Sequence, residues 1–167
     1  MSAQVNWNAF VASRGGSMLG GAVQDFGAPA EELAAARDAA ALVPLAQLGV
    51  VTVAGQDAAA FLQNQLTSDV GQVLPGAAQL SGYCTPKGRL VATFLVLLHG
   101  GGYRLVTLQA LAASLEARLR KYVLRSKVAI ADASSQIALL GVCGPQAHAV
   151  VSRLFPSPPR LPLEAAH

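Results

Sequence analysis

Runs of apolar residues bounded by glycine or polar residues recur along the chain and predict a series of strands. The run Leu48–Gly55 (LGVVTVAG) is rich in β-branched residues and ends at a glycine, which is typical of a strand. The same signals predict strands in AQLSGYCT, RLVATFLVLL, YRLVTLQ, KVAIADA and QIALLGVCG, between residues 78 and 144. The chain from residue 48 onward therefore contains six predicted strands.

Segments with helical periodicity lie between and beside these strands. Residues 27–43 (GAPAEELAAARDAAALV) predict a helix, with Pro29 near its start and two glutamates in its first turn, where carboxylates favour the helix dipole. Further helices are predicted at residues 56–70, at about 110–124 and at 144–155, where Pro145 lies in the first turn.

The order of these elements predicts an α+β fold. From Leu48 it runs strand, helix, three strands, helix, two strands, helix, which contains the split β-α-β arrangement of ferredoxin-like folds. We expect an irregular, Gly-rich N-terminal segment at residues 1–28 and a folded domain at 29–155. A Pro-rich linker or end follows at 156–167.

The segment Gly82–Leu98 (GYCTPKGRLVATFLVLL) suggests three hypotheses: a reactive site with Cys84 as nucleophile, a ligand-binding hairpin, or a well-made turn. Pro86 at the second turn position and Gly88 at the fourth predict a type I turn with a bulge between two strands. That turn accounts for Pro86 and Gly88, so no nucleophile is needed, but it does not require the cations Lys87 and Arg89.

The composition is unusually apolar for a protein of 167 residues. Hydrophobic residues make up 53% and charged residues 13% of the chain. The longest apolar run, Leu90–Leu98, is shorter than the roughly 20 residues that a membrane-spanning helix needs. The N-terminus also lacks the order of a signal peptide. We therefore expect a cytoplasmic protein that buries apolar surface against a missing second half or an equivalent partner chain.

Positive charge is concentrated in the middle of the chain. Between residues 70 and 131 the only acidic residue is Glu116, whereas basic residues recur. The basic residues are Lys87, Arg89, Arg104, Arg118, Arg120, Lys121, Arg125 and Lys127. Three of them, Arg118, Lys121 and Arg125, follow one another at spacings of three and four, so they would form a stripe on one face of the helix predicted at about 110–124. Such an excess either attracts an anionic partner, for which nucleic acid and a carboxylated small molecule are candidates, or forms a solvated face.

The sequence lacks the motifs of several phosphate-binding, catalytic and metal-binding sites. Lys87-Gly88 is not a phosphate-binding loop, because its glycine follows the lysine and strands flank it on both sides. No GxSxG or CxxC is present, and the three histidines have no metal-ligand spacing, so neither a metal site nor a catalytic residue is predicted. The two cysteines, Cys84 and Cys143, lie in apolar strand-like contexts that favour buried, inert thiols.

The segments VTVAGQDAAAFLQNQLTSDV, YCTPKGRLVATFLVL, KYVLRSKVAIAD and ALLGVCGPQAHAVVSRLF occur in the order of one known family. Over about residues 40–156 the chain resembles the folate-binding YgfZ proteins, relatives of the glycine-cleavage T-protein, an aminomethyltransferase. The resemblance implies the first half of a T-protein-like fold with a folate site in a central cavity. It also implies a folate-dependent role in assembling or repairing iron–sulfur clusters in client enzymes, including one that modifies tRNA.

Two departures from the family pattern bear on activity. T-protein relatives carry an acidic residue in the strand after the hairpin glycine, whereas this chain has Ala92-Thr93 at the matching place. That difference argues against aminomethyl transfer, because no carboxylate is present to act as a base or electrostatic partner. The family's cysteine signature, Lys-Gly-Cys-Tyr-x-Gly-Gln-Glu, belongs to the later half, and Cys84 is not that cysteine.

A folate site needs an apolar or aromatic slot for the pterin and cations for the glutamate carboxylates. Some YgfZ proteins have a tryptophan suited to stacking on a pterin, and its matching position here is near Leu48. The proposed tetrahydrofolate contacts are Leu48, Tyr83, Lys87, Arg89, Lys121, Tyr122, Arg125 and Lys127. Two alternatives remain: a tetrahydrofolate-dependent aminomethyltransferase, and an RNA-binding module, for which the basic segment lacks interleaved aromatic residues.

Overall fold

The computed structural model describes residues 3–159 and residue 163. In chain order its elements are α1 (Ala3–Ser13), β1 (Ser17–Leu19), β2 (Ala22–Asp25), α2 (Pro29–Asp38), β3 (Ala41–Pro44), β4 (Leu48–Ala54), α3 (Ala58–Gln63), β5 (Ala78–Cys84), β6 (Leu90–His99), β7 (Gly102–Leu108), α4 (Gln109–Arg120), β8 (Ala129–Asp132), β9 (Leu140–Cys143) and α5 (Ala147–Leu154). These elements form two compact units. One contains residues 3–47 and 135–159, and the other contains residues 48–134.

The larger unit contains a five-stranded antiparallel sheet in the order β5-β6-β7-β4-β8. Because β7 is antiparallel to both β4 and β6, those two strands run in the same direction with β7 between them. In the same way β7 and β8 run in the same direction on either side of β4. This topology confirms the predicted α+β fold with split β-α-β connections.

One face of this sheet forms the core of the larger unit. Alternate residues of the strands, such as Val51, Phe94 and Leu105, are buried against α3 and α4. The helices contribute two buried sets to the same core: Ala58, Phe61 and Leu62 from α3, and Ala112, Leu115 and Leu119 from α4. The spacing of three and four residues in each set places it on one helix face.

The turn between β5 and β6 has the features that the sequence predicted. The Gly88 N–H donates a hydrogen bond to the Thr85 carbonyl at 2.9 Å, and Gly88 has a φ of 75°, in the left-handed region that glycine tolerates best. The strand register shifts between Tyr83 and Cys84, which is the signature of a bulge.

The predicted helix at 56–70 is shorter than expected. It ends as α3 at Gln63, and a single 3₁₀ turn follows at Val70–Gln72. The intervening chain pairs with β5 instead, since the Thr67 N–H donates to the Gly82 carbonyl at 3.0 Å and the Thr67 hydroxyl accepts from the Gly82 N–H at 2.9 Å. Tertiary pairing therefore overrides the helical periodicity of this segment.

Two predictions for the smaller unit differ from the structure. The segment predicted to be irregular at residues 1–28 contains α1 and the β1–β2 hairpin within residues 3–28, the part of it that the structure describes. The helix predicted at 27–43 ends at Asp38, and Ala41–Pro44 instead pair with Leu140–Cys143. Alanine-rich sequence favours a helix locally. The antiparallel ladder between β3 and β9 provides hydrogen-bond partners for the backbone N–H and C=O groups of this segment instead.

The start of α2 shows why its first turn is acidic. The Glu32 carboxylate accepts hydrogen bonds from the Phe26 N–H at 2.8 Å and the Ala28 N–H at 3.2 Å. It thereby satisfies backbone donors that precede the helix.

No helix within residues 3–159 is long and apolar enough to cross a membrane. Most of the predicted Pro-rich end at 156–167 lies outside the described residues. The boundaries of the domain at 29–155 stay a prediction.

Replacing Leu105 by alanine should lower the free energy of unfolding by about 2–5 kcal/mol, because its side chain is fully buried between the sheet and the helices. Urea denaturation followed by circular dichroism measures this loss. The matched control is Leu108→Ala on the same strand, where the side chain is 53% exposed and the change should stay within about 0.5 kcal/mol. Equal losses in the two variants would contradict the assignment of faces to this sheet.

Candidate functional site

The second face of the five-stranded sheet, opposite α3 and α4, is called the outer face. Side chains alternate along a strand, so the residues between the core positions project from it. The register arranges them in rows across the strands. One row is Leu80, Leu95, Val106 and Val50, and the next is Ala78, Leu97, Arg104 and Thr52. At the other end of the face, Thr93 lies opposite Gly82, and Leu48 lies opposite Leu108.

The outer face is mostly apolar. Leu80 is 64% exposed, Leu48, Leu95, Leu97 and Val106 are half-buried, and Val50 at the end of the first row is buried. A contiguous set of aliphatic side chains on a sheet face provides the flat, water-excluding surface that an aromatic ligand or a partner requires. The outer face is therefore the candidate functional surface of this unit.

The two residues at the place of the family's acid point in opposite directions. Ala92 lies in the core and is buried, whereas Thr93 is exposed on the outer face. Only residue 93 could present a side chain to a ligand there, and its hydroxyl cannot carry a negative charge. The Thr93 carbonyl accepts a hydrogen bond from the Thr107 hydroxyl at 2.9 Å, which fixes the neighbouring strand.

Lys87 and Arg89 lie at the tip of the β5–β6 hairpin, and both are exposed. The Arg89 N–H donates to the Thr85 hydroxyl at 3.1 Å, so the backbone of the tip is fixed although the long side chains remain in solvent. Because β4 and β6 run in the same direction, this tip is at the same end of the sheet as Leu48.

Tyr83 points into the core, where only 5% of its surface is exposed. Burial raises the pKa of its phenol, because the low-dielectric surroundings disfavour the phenolate, and the neighbouring Tyr122 raises that pKa further. Arg118 acts in the opposite direction and lowers the pKa of Tyr83. The structure thus brings Tyr83 and Tyr122 together, but Tyr83 presents no ring face to the outer side of the sheet.

The proposed cations at the end of α4 do not form the predicted stripe. The helix ends at Arg120, so Lys121 follows its last turn and Arg125 lies beyond it. The spacing of Arg118, Lys121 and Arg125 suggested one helix face, but the chain leaves the helix to reach β8, and Val123 and Val128 pack against the core on the way. Lys121, Tyr122 and Arg125 are exposed.

Lys127 lies at the opposite end of β4 from Leu48. Its side chain is exposed, and its backbone N–H donates to the Asp57 carboxylate at 2.7 Å, beyond the last residue of that strand. The six steps from Leu48 to Ala54 span about 20 Å at roughly 3.3 Å a residue. These two proposed contacts are therefore not brought together.

The cysteines depart from the prediction of buried thiols. Cys84 is half-buried at the end of β5, and Cys143 is exposed on the two-stranded β3–β9 sheet. That small sheet has no further strand to cover its faces within the part of the chain that the structure describes. Among the same residues, no group of three or more His, Cys, Asp or Glu side chains is arranged to hold a metal ion.

Residues of the outer face other than Leu48 were missed by the sequence interpretation. Leu95, Leu97 and Val106 belong to apolar runs that predict strands but do not show which residues face the helices. The signal that could have identified them is the alternation around Phe94 and Val96, because two large buried residues two positions apart force their neighbours to the other face.

Comparisons with known proteins identify relatives of this arrangement. The family profile described as the GCVT N-terminal domain matches residues 6–162. The aminomethyltransferase of Bacillus subtilis is 36% identical over 124 residues, which are 74% of this chain and 34% of the relative. The tRNA-modifying protein YgfZ of Photobacterium profundum is 36% identical over 116 residues, 70% of this chain and 35% of the relative. Its counterpart in Klebsiella pneumoniae is 32% identical over 131 residues, which are 78% of this chain and 40% of the relative.

Among solved structures, the glycine cleavage system aminomethyltransferase T from Bartonella henselae superimposes with a TM-score of 0.77. The match covers 95% of this chain and 45% of that one at 19% sequence identity, so it shows a common fold. The chain spans between a third and two fifths of the length of the curated relatives described above.

The raised pKa of Tyr83 makes a prediction about alkaline stability. The pKa of Tyr83 in the folded protein lies above the ordinary tyrosine pKa of about 10. At a pH between these two pKa values, Tyr83 is protonated in the folded state and ionised in the unfolded state. The free energy of unfolding should therefore fall as the pH rises through this range. Urea titrations between neutral and alkaline pH should show a smaller fall in Tyr83→Phe. An unchanged fall in Tyr83→Phe would count against the assignment.

Proposed function

The chain belongs to the GCVT N-terminal domain family, and on that premise we propose that it serves a folate-binding accessory function. In this proposal it supports the assembly or repair of iron–sulfur clusters in client proteins of the cytoplasm and, through them, tRNA modification. Several relatives that bear the name tRNA-modifying protein YgfZ support this proposal. Since the match covers only part of their length, the remaining length would come from a further segment or a partner chain.

The outer face has the chemistry that a folate would require from one wall of its site. Leu80, Leu95 and Val106 offer aliphatic surface to the flat pterin and benzoyl rings. Each Å² of apolar surface removed from water contributes about 25 cal/mol. Leu48 would lie at one edge of this wall. The exposed cations Lys87, Arg89, Lys121, Arg125 and Lys127, with Tyr122, stay proposed contacts for the carboxylates of the ligand.

The observation that carries the proposal is the identity of residue 93. A transferase acting on the folate–methylene adduct needs a negative charge or a base near the reacting carbon. Residue 93 is the position of the Ala92–Thr93 pair that faces outward, and it is a threonine. The hydroxyl of Thr93 can donate or accept a hydrogen bond, so this wall can hold a folate without supplying the charge that transfer needs.

One observation favours a second candidate, the tetrahydrofolate-dependent aminomethyltransferase. The Bacillus subtilis aminomethyltransferase is as similar to this chain, at 36% identity, as the Photobacterium profundum YgfZ protein. Transfer of an aminomethyl group by the wild-type protein, with an acidic residue supplied from outside this chain, would support that candidate over the accessory function.

Tetrahydrofolate titration by calorimetry tests the outer face directly. Replacing Leu80 by aspartate should weaken binding at least about tenfold, because a desolvated carboxylate would lie against the ligand rings. The matched control is Leu33→Asp on α2, an exposed leucine of the other unit, which should leave the dissociation constant unchanged. Both leucines are exposed, at 64% and 74%, so neither variant should unfold. Equal affinities in the two variants would refute the outer face as the folate wall.

The proposed cations have their own test. Arg89→Ala and Arg125→Ala remove two exposed guanidinium groups that would attract the carboxylates of the ligand, and each should weaken tetrahydrofolate binding by a few-fold at low salt. Titration of both variants at low and high ionic strength measures the effect. If affinity is unchanged in both, these cations do not contact the ligand.

A further inference from the structure

The loop between α4 and β8, residues 121–128, presents its side chains to solvent without anchoring them. Leu124 is 90% exposed. Lys121, Arg125 and Lys127 are exposed as well, and none of them forms a salt bridge with a carboxylate in the part of the chain that the structure describes. The conformation of this α4–β8 loop therefore depends on its backbone and on the few side chains that point inward.

The first half of the loop is held by the end of α4. The Tyr122 N–H donates to the Leu119 carbonyl at 3.0 Å, and the Val123 N–H donates to the Arg120 carbonyl at 3.2 Å. The Val123 side chain also packs against the core. These contacts continue the last turn of the helix, but they end before Leu124.

Asp57 holds the second half of the loop. Its carboxylate accepts a hydrogen bond from the Lys127 N–H at 2.7 Å, and its own N–H donates to the Lys127 carbonyl at 3.4 Å. Both backbone groups of Lys127 are thus bonded to one residue that lies 70 positions earlier in the chain. A hydrogen bond to an ionised carboxylate is roughly twice as strong as one between neutral groups.

The side chain of Asp57 does not make the contact that is usual at its position. Asp57 directly precedes α3, where an aspartate normally accepts a hydrogen bond from the first turn of its own helix. No such bond forms, and the carboxylate is directed to Lys127 instead. The helix thereby loses its cap, whereas the distant loop gains a fixed position.

Gly55 permits the close approach of the two segments. It has a φ of 129°, which favours glycine, and a Cβ atom at this position would collide with the Lys127 carbonyl oxygen and lie 3.0 Å from the carbonyl carbon. Gly55 and Asp57 together are called the clasp. The clasp fixes the backbone of the α4–β8 loop at the end that the helix does not hold.

A loop that is ordered before its ligand arrives does not have to lose conformational entropy on binding. We infer that Asp57 is a positioning residue for ligand binding, which acts through the clasp to hold the α4–β8 loop in its binding conformation. This inference rests on the proposed folate function, in which Lys121, Arg125 and Lys127 are proposed contacts. Asp57 acts on the backbone of the loop and not on the ligand.

Hydrogen exchange followed by NMR tests whether Asp57 orders the loop. Asp57→Ala should accelerate exchange of the Lys127 amide at least about tenfold, whereas the amide of the core residue Leu105 should keep its wild-type rate. Asp57→Asn should retain most of the protection, because its amide oxygen can accept the same hydrogen bond. The control Asp69→Ala removes a carboxylate that bonds only locally, to the Gly71 N–H at 3.0 Å, and should not affect Lys127.

Calorimetric titration with tetrahydrofolate tests the effect on binding. Asp57→Ala should weaken binding by about three- to tenfold, whereas Asp57→Asn and Asp69→Ala should stay within about twofold of the wild type. Asp57→Asn removes the same negative charge as Asp57→Ala but keeps the acceptor. Equal affinities in the two Asp57 variants would therefore indicate an effect of charge and would overturn the positioning role.

A glycine pair gives a second test that leaves the aspartate in place. Gly55→Ala should accelerate exchange at Lys127 and weaken tetrahydrofolate binding as Asp57→Ala does, because the new methyl group displaces the Lys127 carbonyl. The matched control is Gly101→Ala, which has the same kind of strain at a φ of 76° but open space around the new methyl group. It should retain wild-type affinity. Equal affinities in the two glycine variants would contradict the role of the clasp.

A double-mutant cycle shows whether Asp57 acts through the loop. The losses in Asp57→Ala and Arg125→Ala should combine to less than their sum, because a displaced loop already weakens the contact of Arg125. The losses in Asp57→Ala and Arg89→Ala should add, since Arg89 belongs to the β5–β6 hairpin. Additive losses in both pairs would overturn the inference.

The remaining outcomes separate this inference from the function on which it rests. Wild-type binding of tetrahydrofolate that Asp57→Ala leaves unchanged would overturn the positioning role and leave the folate function intact. If the wild-type protein does not bind tetrahydrofolate, the folate function and the role of Asp57 in binding both fail. Exchange at Lys127 then still shows whether the clasp orders the loop, and an unchanged rate in Asp57→Ala would refute that as well.

Discussion

Burial of one face of the five-stranded sheet is the constraint on which the rest of the larger unit depends. Phe94, Val96 and Leu105 pack against α3 and α4, and the pleat of the strands then sends their neighbours to the other side. The aliphatic surface of Leu95 and Val106 is therefore a geometric consequence of the core. The same alternation puts Ala92 inside and Thr93 outside, so the core decides which residue a ligand would meet.

The sequence was sufficient for the strands of this unit, because β-branched runs and turn residues are local signals. Gly88 and Pro86 predicted their turn, and the order of elements predicted the split β-α-β topology. Structure that depends on contacts with distant parts of the chain could not be predicted from the sequence. Residues 41–44 follow an alanine-rich helix and become a strand only because β9 lies beside them. The spacing of Arg118, Lys121 and Arg125 likewise suggested a helix that in fact ends at Arg120.

The residue types expected at the candidate site could be predicted from the sequence, but the positions of the residues in the structure could not. A search for aromatic and basic residues selects Tyr83, but the side chain of Tyr83 is buried in the core. The same search selects cations that lie at opposite ends of the sheet. Arg104 was visible in the sequence only as one of several basic residues, and only the register shows that it lies on the outer face, opposite Thr52 and Leu97.

The central claim is that the outer face of the sheet is the folate wall. Methyl-resolved NMR of the protein during titration with tetrahydrofolate tests it most directly, because core and outer methyl groups alternate along the same strands. The account predicts that the methyl signals of Leu95, Leu97 and Val106 shift with the ligand, whereas those of the buried Leu62, Leu105 and Leu115 change little. Shifts confined to the core residues, or to the smaller unit, would contradict it.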